Sequence, residues 1–275
     1  MTKKAATGGL APKEKAGNRY SAIIREIFFS HYKPRIASFE FDRDEIRTTA
    51  YKLGIKLPDN IGDTIYSFRF RTQLPEEIAA TAPTGKEWDI ELAGRGKYRF
   101  NLGKISRIVP GAGHVAIKIP DSTPEIIEAY ALSDEQALLA KVRYNRLIDI
   151  FLGLTTYSLQ NHLRTTVKKI GQIEIDEVYV GINSHGHQFV IPVQAKGGSD
   201  KLGSTQTRQD VACCREKFPG LTCRPVSAQF MAEDVIVLFE LAIEDDEVKI
   251  YDEKHYRLVA SDSIQPEELR QYANR

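Results

Sequence analysis

Residues 172–196 constrain the fold more than any other stretch of the chain. Over the first half, Ile173, Ile175 and Tyr179 alternate with Gln172, Glu174 and Asp176, the period of two of a half-buried strand. Residues 189–196 form a second run rich in Val and Ile, and Asn183-Ser184-His185-Gly186 between them is a dense turn signal. The two strands are therefore predicted to be a hairpin or near neighbours. Gln194 and Lys196 lie two apart and project to one side, with Val193 and Ala195 on the other. When the apolar faces join one core, the polar faces bring an acid, an amide and a lysine to one place.

That grouping has a chemical meaning. A carboxylate and an amide oxygen can hold a hard divalent cation such as Mg²⁺. A neighbouring lysine can orient or help deprotonate a water and offset charge on a phosphate in the transition state. Asp176, seventeen intervening residues, then Gln194-Ala195-Lys196 and Gly197-Gly198 resemble the core of the PD-(D/E)xK nuclease superfamily. The resemblance covers roughly residues 136–229. It implies a restriction-endonuclease-like α/β fold, a mixed sheet flanked by helices, that hydrolyses DNA phosphodiester bonds with Mg²⁺ or Mn²⁺. It also implies that Asp176 and Gln194 bind the metal and that Lys196 positions the attacking water.

One position departs from the pattern. Gln194 stands where the superfamily usually has Asp or Glu, so the site lacks a formal negative charge. Glu174, Glu177 and Glu135 are the candidates to supply it. Glu174 shares the face of Asp176, whereas Glu177 needs a bulge or strand end to turn inward. The plain alternative is an ordinary Asp176–Lys196 ion pair at a sheet edge.

Composition bounds the rest. At 275 residues the chain is long enough for two domains. Its 42% hydrophobic and 27% charged content is that of a globular protein, and a net charge of +1 means that any nucleic-acid surface must be local. No apolar run approaches the ~20 residues of a membrane span, and the N-terminal lysines precede no apolar core of a signal peptide. Cys213, Cys214 and Cys223 lack metal-ligand spacing and read as reduced core thiols of a cytoplasmic protein.

Residues 1–18 read as a flexible basic tail. From there to about residue 110 the pattern is that of a small α+β domain. Tyr20, Ile23, Ile24, Ile27 and Phe28 have helical spacing behind an Asn18 cap, a short strand spans 36–41, and Asp42 or Asp44 caps a second helix ending at Gly54. A third helix from Ile61 to about Arg71 carries Arg69 and Arg71 along polar positions. The runs 88–92 and 97–100 make a hairpin around Ala93-Gly94-Arg95-Gly96, and Arg95, Lys97, Arg99, Lys104 and Arg107 follow with no acid among them. Helices followed by a basic hairpin resemble a winged helix, which implies double-stranded DNA as partner. The plain alternative is a solvated basic hairpin.

Pro110-Gly111-Ala112-Gly113 is the expected linker, and residues 114–275 the expected nuclease domain. Ser133-Asp134-Glu135-Gln136 matches a capping box for one long helix with Ala140, Tyr144, Leu147, Ile148 and Phe151 on its buried stripe. Glu135, or Asp149, is the acid that helix can offer. Residues 158–169 are polar and basic, with Arg164 and Lys168 suited to phosphate contacts. Gly203 or Ser204 begins a helix to Lys217 on which Gln206 is the expected supporting residue, with Gln209 and Asp210 one turn on. Strands follow at 222–231, 235–243, 248–251 and 256–259, then a helix from Gln265. A homodimer about a two-fold axis fits an enzyme that cuts both strands.

Overall fold

The structure, a computed structural model, describes residues 17–70, 73–104, 107–111, 113–130, 135–168, 170–197, 202–231, 234–245 and 247–273. The chain divides into two compact units, Met1–Glu91 with Gly96–Gly103, and Leu92–Arg95 with Lys104–Arg275.

The first unit runs α1 (Gly17–His31), β1 (Ser38–Asp42), α2 (Arg43–Lys52), α3 (Ile61–Phe70), α4 (Glu76–Ala79) and the greater part of β2 (Lys86–Gly94) and β3 (Lys97–Lys104). The strands form an antiparallel sheet in the order β1-β3-β2. Ile23, Ile24, Ile27 and Phe28 of α1 are completely buried. Phe28 packs edge-on against Trp88 and Phe100, with centroids 5.1 and 5.0 Å away, so an aromatic cluster closes this small core. Asp42 precedes α2, and its N–H donates to Glu45 Oε1 at 2.7 Å, which fixes the helix start. Asn18 lies within the first turn of α1 rather than before it; Arg71 lies outside the described residues.

The second unit continues with β4 (Arg107–Ile108), β5 (Ile117–Pro120), α5 (Glu125–Tyr130), α6 (Glu135–Tyr144), α7 (Leu147–Leu152), β6 (Thr155–Val167), β7 (Gly171–Ile182) and β8 (Gln188–Lys196). It ends with β9 (Leu202–Gly203), α8 (Ser204–Lys217), β10 (Thr222–Cys223), β11 (Val226–Phe230), β12 (Val235–Glu244), β13 (Glu247–Val259) and α9 (Pro266–Ala273). A curled mixed sheet has the order β5-β13-β12-β11-β8-β7-β6, with β10 also on β8. β8 pairs in parallel with β10 and β11 and antiparallel with β7. Pro192 and Pro225 both fall where the partner of β8 passes from β10 to β11, so these missing N–H groups leave no gap in a ladder.

The alternation of β8 divides two cores. Ile191, Val193 and Ala195 pack with Leu138, Leu139 and Val142 of α6 and Leu147 and Ile148 of α7. Val190 packs on the opposite face with Cys213 and Cys214 of α8, Val178, Ile173 and Ile175. Each such buried side chain contributes about 1.5–3 kcal/mol, more than an exposed ion pair, so apolar burial holds α6 and α8 against opposite faces.

Three expected elements differ. The single helix after residue 133 is two, because Arg146 takes a left-handed backbone conformation (φ 51°) and Asn145 is buried. The Asn145 side chain accepts the Ser122 N–H at 2.7 Å and donates to Thr123 Oγ1 at 2.9 Å, ending α6 and leaving Tyr144 exposed. The run 222–231 is two strands interrupted by Pro225. Conversely, 248–251 and 256–259 are one strand, which absorbs Tyr251 as a bulge where the register with β12 shifts.

Candidate active site

Asp176 on β7 and Gln194 and Lys196 on β8 lie on the sheet face that α8 covers. Register explains it: Glu177 pairs with Val193, so Asp176 and Gln194 share the other side of the pleat. Asp176 Oδ2 accepts the Ala195 N–H at 2.9 Å. Gln194 is 3% exposed. Its Nε2 donates to Asp210 Oδ2 at 2.7 Å, and its Oε1 accepts the amide of Gln206. Gln206 and Asp210 are four apart on α8, one above the other on one helix face. Ser227 and Gln229 of β11, in register with Gln194 and Lys196, are buried and extend the polar patch.

Electrostatics sets this patch apart from the surrounding core. Burial pushes the Asp176 carboxyl above its ordinary range, outweighing the Ala195 N–H and the Lys196 ammonium that pull it down. Burial raises Asp210 still further, against the Gln194 amide, and the Asp176 carboxylate adds to the rise. Asp210 Oδ1 is buried with no hydrogen-bond partner. Two acids that resist ionisation, one with an unsatisfied oxygen, accept either protons or a cation. Perturbed acids of this kind concentrate at functional sites.

The other expected residues are distributed differently. Glu174 is close enough to Asp176 to raise it, but it is engaged by Arg164 Nε at 3.1 Å and His162 Nδ1 at 3.3 Å. Glu177 has no bulge that would turn it inward. It is completely buried on the α6 side, where its Oε1 accepts Arg143 Nε at 2.8 Å and Ser158 Oγ at 2.6 Å. Glu135 begins α6 and so belongs to the face opposite Asp176. Gln206 lies in the patch, its amide donating to Gln194 Oε1.

The polar run 158–169 is for the most part the edge strand β6, with Arg164 exposed, and the Lys168 N–H donates to Glu216 Oε2 at 2.9 Å. Arg95 and Lys97 are exposed around the β2–β3 turn, while Arg99 pairs with Glu40 at 2.6 Å. Arg69 turns inward: its Nε donates to the Ile90 carbonyl at 3.2 Å, and burial pushes its guanidinium down to about 10.

Asp210 is the site residue that sequence reasoning left out of the chemistry. Its signal was the four-residue spacing from Gln206; what one strand and one helix could not reveal was that Gln194 would reach it. In comparisons with known proteins, the chain matches no family model and no curated protein.

Proposed function

We propose that this protein is a Mg²⁺- or Mn²⁺-dependent DNA endonuclease of the restriction or defence type, with a restriction-endonuclease-like domain following a winged-helix-like one. The observation that carries the reading is the convergence of Asp176, Gln194 and Lys196 with Asp210 on one sheet face, both acids held above their ordinary range by burial. Exposed Arg95 and Lys97 on a hairpin that follows α2 and α3 support DNA as the partner. Three free thiols are in keeping with a cytoplasmic setting, and a two-fold dimer would present two such sites to the two strands.

The residues fit a hard divalent cation. Asp176 and Asp210 are oxygen donors, and Asp210 Oδ1 has no hydrogen-bond partner within the protein, which leaves it available to a cation. When bound, the metal supplies positive charge at the phosphate and acidifies a water. Lys196 would orient an attacking water and offset the negative charge that develops on the phosphoryl oxygens. Gln194 is a positioning residue in this scheme: it holds Asp210 and Gln206 to the strand that carries Lys196. Asp210 thereby takes the place of the missing carboxylate, for which Glu174 is the nearer of the remaining candidates.

A second reading is a DNA-binding regulator whose nuclease core is silent. It is favoured by the commitment of both ends of the Gln194 amide to protein partners. Incubating the protein with supercoiled and linear DNA in Mg²⁺, Mn²⁺ or EDTA separates the two. Metal-dependent fragments support the nuclease; tight binding indifferent to EDTA, without a nick, establishes the regulator. Smearing or nicking without discrete fragments points to repair or junction resolution.

A further inference from the structure

A separate group of ligating side chains lies on β13. Glu253 and His255 are two apart on that strand and project to the same side, and His114, just ahead of β5, folds over them. One ligand atom from each of the three lies within 4.8 Å of the others. The imidazoles of His114 and His255 stack with centroids 4.8 Å apart and planes 17° apart. His255 Nε2 is 2.6 Å from Glu253 Oε1, and the side chains of both are only about a tenth exposed, 10% and 11%.

The backbone is shaped around this group. The Gly111 N–H donates to Glu253 Oε1 at 2.8 Å, and a Cβ at Gly111 would stand 2.8 Å from His114 Nε2. A larger residue at 111 would have to displace the exposed His114 ring. Two imidazoles and a carboxylate brought together in this way are the ligand set of a first-row transition ion, not of Mg²⁺, which prefers oxygen. His114 is exposed, so an ion and a completing water have open access.

We infer that His114, Glu253 and His255 form a second metal site, selective for Zn²⁺ over Mg²⁺, that fastens His114 to β13. The three protein ligands leave a fourth position for solvent, the arrangement of an open zinc site. The stack holds the His114 ring beside His255, a rotation of His114 turns its ring nitrogen towards the ion, and the ion takes the place of the His255–Glu253 hydrogen bond. Reaching ligand distances requires the exposed His114 ring to move in and the 2.6 Å His255–Glu253 contact to open around the ion. This inference does not rest on the nuclease reading.

The test is a chelator-competition titration of Zn²⁺ into metal-free, full-length protein, with millimolar Mg²⁺ present. The expected result is one tightly held Zn²⁺ per chain, a rise in melting temperature with Zn²⁺, and binding weaker by at least about tenfold in His114→Ala and in Glu253→Gln. Lys196→Ala should bind Zn²⁺ like the wild type, which distinguishes this site from the one on β8. Circular dichroism of the two ligand variants confirms that each is folded. Equal affinity in wild type and both variants, or no Zn²⁺ retained by the wild type against Mg²⁺, overturns the inference.

Discussion

Gln194 Nε2 meets Asp210 Oδ2 at 2.7 Å, joining a central strand to the helix that follows it through a pair of buried polar side chains. A neutral amide beside a fully buried acid is what allows that acid to exist there. Its hydrogen bond partly offsets desolvation, and a second carboxylate at position 194 would oppose it.

The first consequence concerns pH. The Asp210 carboxyl is held well above its unfolded value, so the native state binds an extra proton between about pH 3.9 and the raised native value. Stability without divalent cation therefore falls as pH rises through that window and is level above it. Asp210→Asn should reduce this slope to the part contributed by the raised Asp176 carboxyl. Chemical denaturation is expected to find the variant more stable than wild type at pH 7, by about 1 kcal/mol or more, and equal to it near pH 4.

Gln194→Glu converts the amide to the acid that the resembled superfamily usually carries. Without metal it sets a third carboxyl against Asp210 and Asp176 and should lower stability by about 1–3 kcal/mol. With Mg²⁺ the loss should be recovered in part, so the metal-induced rise in melting temperature exceeds that of wild type. Identical responses of the two proteins to Mg²⁺ would place the cation elsewhere.

The buried pair on the other face makes a contrast with the exposed one. Arg143→Ala leaves the Glu177 carboxylate without its charge partner in the core and should cost about 3–5 kcal/mol. Arg164→Ala breaks a partly exposed pair with Glu174 and should cost less than about 1 kcal/mol. Urea unfolding midpoints measure both.

The basic residues of α3 and of the β2–β3 turn divide by exposure. Arg95→Ala with Lys97→Ala should weaken DNA binding about tenfold, reduce its salt dependence and leave stability unchanged. Arg69→Ala, which removes a guanidinium bonded to the Ile90 carbonyl, should lower the melting temperature instead. Binding isotherms at two salt concentrations and a thermal melt distinguish these effects.

What could be read from the sequence was whatever local pattern decides. The two strands, the Asn183–Gly186 turn, and the split of Gln194 and Lys196 from Val193 and Ala195 reappear in β7 and β8, whereas Ile173, Ile175 and Tyr179 do not share one face: the first two join the cluster under α8 and Tyr179 the one under α6. α8 runs from Ser204 to Lys217, within the bounds expected of a helix starting at Gly203 or Ser204. What could not be read depended on partners distant in sequence. Asn145 breaks the helix because residues 121–123 present groups for its side chain. Glu177 tolerates complete burial because Arg143 and Ser158 meet it. Arg69, placed on a polar helix position by its spacing, is claimed by the Ile90 carbonyl across the small domain. Asp210 gains its significance only when Gln194 is seen to reach it.

The central claim is that Lys196 serves chemistry rather than architecture. The most direct measurement is single-turnover cleavage of DNA in Mg²⁺ by wild type and Lys196→Ala, with DNA affinity and melting temperature recorded on the same preparations. The account predicts a rate lowered by about 10²-fold or more, with affinity and fold essentially retained. A Lys196→Ala protein that cuts at the wild-type rate would contradict it.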